Sequence, residues 1–348
     1  MSGPERAAGP GRRAVLLGGC AAAGSAVLGG SLLTGCSGST SPAPVPGSTS
    51  ASASVDTAQP TTTASATASV APSAALPATR PWIATSAEVS PAVKTAAVRL
   101  LEAIGTWSPG NGGLAAARAR AARLGYDPRL ADQAAALLPA VDAAAVQVVD
   151  VQYGGILSSS SSVLVVLRQW TVHRGTLAVA GTTVDVRLVA ASPRWRVTAM
   201  YPARPGGPAA SLPAAAAAVL AQPRARLPVA ARADLRSGTI SAGTVRAMAQ
   251  LAREHVIDVS VVRSGHPLYV FGTNRLSDHP RGHAFDVWAI DGRTVLDPAN
   301  RSLTELFMRR GIALGAWQVG GPVDLDGAGL LYFSDNTHHD HVHMGFRD

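Results

Sequence analysis

Ser277-Asp278-His279-Pro280-Arg281-Gly282-His283-Ala284-Phe285-Asp286 and, near the C-terminus, His338-His339-Asp340-His341-Val342-His343 are the stretches on which the reading of this chain turns. They hold six of the nine histidines, interleaved with carboxylates. A hydrolytic zinc needs three protein ligands and an open position for the water that becomes the nucleophile. His279 and Asp286 are separated by Gly282, which lets the chain bend from a loop into a strand. On that strand Asp286 shares a face with Ala284 and Trp288. A third ligand must come from elsewhere, and His343 is well placed. His341 and His343 alternate with Val342 on a terminal strand, so both point to one side. If both joined His279 and Asp286 the open position would close, so one of them is expected to act on the water or the oxyanion. Asp340, immediately before that strand, is the expected general base.

The pattern Ser-x-His-x-x-Gly-x-Ala-x-Asp followed by His-x-Asp-His-x-His resembles the zinc D-alanyl-D-alanine carboxypeptidases and related peptidoglycan peptidases of the Hedgehog and D,D-peptidase superfamily. Ser277, His279, Gly282, Ala284, Asp286, Asp340, His341 and His343 match. The resemblance implies Zn2+ held by His279, Asp286 and His343, with Asp340 as catalytic base and His341 as transition-state stabiliser. His338 falls where some members carry a further active-site histidine. The match covers roughly Leu227 to Asp348 and says nothing of residues 90–200. It departs upstream, where members carry a Ser-Gly-Tyr-Arg-like segment and this chain has Val262-Arg263-Ser264-Gly265-His266-Pro267. A substrate-carboxylate clamp then falls to Arg263 or Arg275, with Arg263 favoured because it ends a predicted strand. Carboxypeptidase and endopeptidase action both stay open. His283 and His339 are read as bystanders and Trp288 as packing.

Upstream of the motifs, Pro202 to Pro213 is a Pro/Gly/Ala break. Beyond it Ser241 caps a predicted helix with Val245, Met248, Ala249, Ala252 and Val256 on one face, followed by a strand at Ile257 to Val262. His283 to Ile290 reads as a strand, Asp291-Gly292 as a hairpin turn and Ser302 to Leu314 as a helix. The preceding half starts at Ser90-Pro91, an N-cap and a proline at the first helical position, with Val93, Ala97, Leu100, Leu101 and Ile104 at helical spacing. Alanine-rich helices are expected at Leu114 to Leu124 and Arg129 to Ala145, then strands over Val146 to Tyr153, Ser162 to His173, Thr176 to Ala190 and Arg194 to Tyr201. Helices followed by an antiparallel meander predict a cystatin-like or nuclear-transport-factor-like α+β domain. The expectation is thus α+β throughout, with an accessory domain over 90–203 and a D,D-peptidase-like zinc domain over 213–348.

Residues 1–36 read as an export signal, with Arg12-Arg13, a small-apolar run and Leu33-Thr34-Gly35-Cys36 as a lipobox whose cysteine takes the lipid. Cys20, the other cysteine, follows a shorter apolar run and is the lesser candidate. With both cysteines in the signal region, the rest of the chain has no disulfide and no thiol nucleophile. Residues 37–89 are Ser/Thr/Ala/Pro-rich and are expected to be a disordered tether. The net charge of +8 comes without a dense Lys/Arg run bearing aromatics, which speaks against nucleic acid as partner. Lys94 is the only lysine among many arginines. The expectation is a lipid-anchored zinc peptidase of a cell envelope, exported to the outer face of the cytoplasmic membrane and acting on peptidoglycan peptides. The competing expectation is a non-catalytic, metal-binding lipoprotein of the wall.

Overall fold

Helix α1 (Pro91–Gly105) begins where the fixed φ of Pro91 favours the first turn, and buries Val93, Ala97, Leu100, Leu101 and Ile104 on one face. The computed structural model describes residues 75–347. The expected signal, the lipobox with Cys36 and most of the tether lie outside the described residues. Ser90 makes no side-chain cap; its backbone N–H instead donates to the Tyr153 hydroxyl, which donates in turn to the Ser90 carbonyl. Packing reaches back into the segment expected as tether: Arg80 exchanges backbone hydrogen bonds with the Gln147 amide, Trp82 lies against the core, and Glu88 is buried.

After α2 (Gly113–Arg123), the helix expected over Arg129 to Ala145 divides into a 3-10 segment at Pro128–Leu137 and the start of a strand. Helical propensity favours the alanines at 143–145, but pairing with Val172, Thr171 and Trp170 holds them extended, so tertiary contact overrides local preference. The strands β1 (Ala143–Ile156), β2 (Ser160–His173), β3 (Thr176–Val189) and β4 (Arg196–Pro202) form an antiparallel meander in that order. Their inward residues and the helices make one hydrophobic core from Val93 to Met200.

A second core runs from Ala216 to Phe346. Its elements are α3 (Ala214–Ala221), β5 (Ala225–Arg226), α4 (Val229–Arg236), α5 (Ala242–Glu254), β6 (Ile257–Val261), β7 (Ala284–Ile290), β8 (Arg293–Thr294), α6 (Arg301–Ala313), β9 (Gln318–Gly320), β10 (Tyr332–Phe333) and β11 (Val342–Gly345). The sheet is mixed, in the order β10-β9-β11-β7-β6-β5 with β8 paired to β7. Ser241 caps α5 by accepting from the Thr244 N–H, as its position predicts. Asp291 and Gly292 both have positive φ, 52° and 76°, the backbone of a tight two-residue hairpin turn between β7 and β8. The structure is therefore α+β, with one antiparallel and one mixed sheet. No helix among the described residues is long and apolar enough to cross a membrane.

Candidate metal centre

His343 on β11 and Asp286 on β7 are directly opposed partners of an antiparallel pair, so their side chains rise from the same face of the sheet. Asp286 is also aligned with Val261 of β6, which places it in the interior of the sheet. His279 arrives from a 3-10 turn, His279–Arg281, that Gly282 ends in the left-handed region at φ 75°. A Cβ at Gly282 would press into the Thr239 carbonyl oxygen, so both backbone conformation and space call for glycine between the two motif residues.

These elements bring three donor atoms together. His279 Nε2 lies 3.1 Å from Asp286 Oδ1 and 3.1 Å from His343 Nδ1, and His343 Nδ1 lies 3.0 Å from Asp286 Oδ1. Zinc bonds of ~2.0–2.1 Å in a tetrahedron imply donor separations of ~3.3 Å, near the distances seen. His279 Nδ1 is 2.9 Å from the Val262 carbonyl, to which it donates, leaving Nε2 as the nitrogen that presents a lone pair. Burial, only partly offset by Asp286, pushes the His343 pKa down to about 4, so a neutral ring faces the carboxylate at pH 7. Asp286 is held well below the usual carboxylate range: burial opposes this, and the imidazoles of His279 and His341 outweigh it. Two imidazole nitrogens and one carboxylate oxygen are a donor set that suits zinc.

His266, His279 and Asp286 also bring ligand atoms within 4.8 Å of one another. His266 nevertheless stacks on His279, with ring centroids 4.0 Å apart and planes inclined by 19°. A metal lies in the plane of an imidazole that binds it, so with the two rings stacked His279 and His266 would not both present their lone pairs squarely to one ion. On this ground His343 is the better candidate for the third ligand, and His266 lines the pocket beside it. A second group, Glu88, His339 and Asp340, also places ligand atoms within 4.8 Å. There the Lys94 ammonium already bridges the carboxylates, 2.5 Å from Glu88 Oε2 and 2.7 Å from Asp340 Oδ2.

Asp340 sits differently from the general base expected of it. It is buried, its Oδ2 faces Lys94 and the Tyr153 N–H, and its Oδ1 is 2.6 Å from His341 Nδ1. Both oxygens are engaged behind the histidine, and the carboxylate holds the imidazole. His341 Nε2 is then the free ring nitrogen, 3.8 Å from Asp286 Oδ2. Burial lowers the His341 pKa, but Asp286 and Asp340 outweigh it and raise the value above normal.

The site opens into a pocket of about 420 Å3 whose lining includes His279, His341, His343 and His338 from the second core, and Tyr153 and Gly155 from the first. His338 accompanies the other histidines there, its Nδ1 2.8 Å from Asp335 Oδ1. Arg263 does not reach this pocket. Its guanidinium donates to the carbonyls of Pro280 and Pro205 and lines a neighbouring cleft of about 660 Å3. Arg275, the alternative clamp, does line the metal-site pocket. Of the expected bystanders, His283 lies outside the pocket lining, whereas His339 packs against Tyr153 and Glu88 where the two cores meet.

Sequence reading missed Lys94, Gln152 and His266. Lys94 carried a signal, being the sole lysine and lying one position after Val93 on the apolar face of a helix. Gln152 stood as an amide within a strand of mostly apolar residues. Comparisons of the chain with protein-family models, curated proteins and solved structures find no match.

Proposed function

We propose that the chain is a zinc-dependent peptidase acting on the peptide stems or cross-links of peptidoglycan, anchored at the envelope by lipid on Cys36. The observation that carries the reading is the convergence of His279 Nε2, Asp286 Oδ1 and His343 Nδ1 within 3.0–3.1 Å of one another at a pocket that His341 also lines. Those three residues would hold the metal, which when bound supplies Lewis-acid polarisation of a scissile carbonyl and a lowered pKa for water. His341 is the proton carrier: Asp340 grips its Nδ1, as the carboxylate of a hydrolase triad orients its histidine, and leaves Nε2 to take a proton from water and pass it to the leaving amine. Arg275 lines the pocket, which supports giving it, in this reading, the role of meeting a substrate carboxylate. The order of helices before a four-stranded antiparallel meander supports a cystatin-like or nuclear-transport-factor-like first half, and the motif spacing supports a D,D-peptidase-like second half.

The reading is tested by incubating the zinc-loaded chain with a pentapeptide stem ending in D-Ala-D-Ala and, separately, with a cross-linked stem dimer, then separating products by mass. Release of D-Ala assigns carboxypeptidase action, and cleavage of the dimer assigns endopeptidase action. Each must disappear in His341→Ala. No product from either substrate, with zinc bound stoichiometrically, overturns the enzymatic reading in favour of a non-catalytic metal-binding protein of the wall.

A further inference from the structure

The metal-site carboxylate is held from the other core. Val151 and Tyr153 of β1 bury their side chains in the first core. Gln152 between them points to the opposite face and is fully buried there. Its Nε2 donates to Asp286 Oδ2 at 2.6 Å, across a sequence separation of 134 residues. Its Oε1 accepts from the hydroxyl of Ser260 on β6, which also donates to the Asp286 backbone carbonyl. The bond to Asp286 fixes the amide: reversed, its carbonyl oxygen would face a carboxylate oxygen, which cannot donate. A carboxylate buried at this depth has two oxygens to satisfy. Oδ1 is the one within 3.0–3.1 Å of both histidine nitrogens, and Oδ2 is the one Gln152 takes.

We propose that Gln152 is a positioning residue of the metal centre, set in the first core to hold Asp286 Oδ2 so that Oδ1 alone faces His279 and His343, with Ser260 orienting the amide. The first core thereby completes the metal site instead of serving as a separable appendage. The inference rests on the metal-binding reading given above. Outer partners that orient metal ligands commonly change affinity 10- to 100-fold when removed.

The test uses the full chain and three variants, Gln152→Leu, Gln152→Glu and Ser260→Ala. Each is measured for Zn2+ affinity by chelator competition, for the visible d–d spectrum of its Co2+ form, and for the melting temperature of the metal-free protein. Gln152→Leu is expected to weaken Zn2+ binding ~10- to 100-fold and to change the position or intensity of the cobalt bands, because a released Oδ2 changes the coordination the ion experiences. Gln152→Glu, equal in length but lacking the N–H donor, should fail to rescue. Ser260→Ala should weaken binding by a smaller factor and alter the spectrum in the same direction. A lowered melting temperature with unchanged Zn2+ affinity and an unchanged cobalt spectrum would make Gln152 mere glue between the cores and overturn the proposal. If Gln152→Leu does not fold, Ser260→Ala decides by the same two readouts. Failure of the metal reading itself looks different: the unmodified chain would then bind neither ion.

Discussion

Lys94 Nζ stands 2.7 Å from Asp340 Oδ2 and 2.5 Å from Glu88 Oε2, with all three side chains sealed from solvent. Burial works against the ammonium, yet the two carboxylates outweigh it and raise its pKa above the ordinary lysine value. Removing the cation strands two buried carboxylates, and breaking a buried pair from one side costs ~3–5 kcal/mol. Lys94→Met is therefore expected to lower the urea midpoint by that much stability with an unchanged m-value. Neutralising all three groups together, in Lys94→Met with Glu88→Gln and Asp340→Asn, should recover most of the loss. A single variant within about 1 kcal/mol of the parent would mean that the bridge contributes no more than a surface pair.

The stacked arrangement of His266 on His279 separates two otherwise similar ligand sets. His343→Ala removes a donor from the triangle and is expected to bring zinc content after dialysis close to zero. His266→Ala takes away a pocket wall and should retain stoichiometric zinc. Elemental analysis of the two purified variants distinguishes the sets, and loss of zinc in the His266 variant alone would reverse the assignment.

Asp340 is held by Lys94 and His341, and the proposed mechanism therefore gives proton transfer to His341. On the proposed peptidase activity, His341→Gln should lower kcat/KM by ~10²–10⁴-fold while zinc stays bound. Equal loss of zinc and activity would instead make His341 a ligand.

The pairs of residues that decide the metal triangle were readable because they belong to local patterns. Alternation puts Asp286 and His343 on strand faces, and a glycine between His279 and Asp286 signals the bend that its left-handed φ of 75° realises. The Asp291-Gly292 turn and the Ser241 cap are local in the same way. What periodicity cannot carry is a contact between distant segments. Lys94 meets Asp340 across 246 residues and Gln152 meets Asp286 across 134, and no feature near either residue specifies its partner. The surroundings of Asp340 were hidden for this reason: motif spacing places it beside the strand of His343, and a cation from the other core then closes off its outer oxygen. The strand start at Ala143–Ala145 was likewise hidden, since alanine favours a helix until β2 is there to pair with it.

Asp150 gives the fold a pH dependence of definite sign. It lies at an irregularity of β1, its Oδ2 is buried without a hydrogen-bond partner, and burial pushes its pKa up to about 7, with Lys94 opposing the rise. Between its ordinary value of 3.8 and about 7 the folded chain keeps a proton that the unfolded chain has released. The contribution of Asp150 to stability must then fall as pH rises through that window and level off above it. The full shift corresponds to ~4 kcal/mol, an upper bound on the cost at pH 8. Asp150→Asn cannot ionise and escapes this cost. The variant is expected to be close to the parent in urea denaturation at pH 4 and more stable than it at pH 8 by up to ~4 kcal/mol. Groups remote from Asp150 titrate alike in both proteins and cancel in the difference, which leaves Asp150 and its charged neighbours Lys94, Asp340 and His341. A difference that is flat between the two pH values, or that favours the parent at pH 8, would show that Asp150 ionises without penalty in the folded chain.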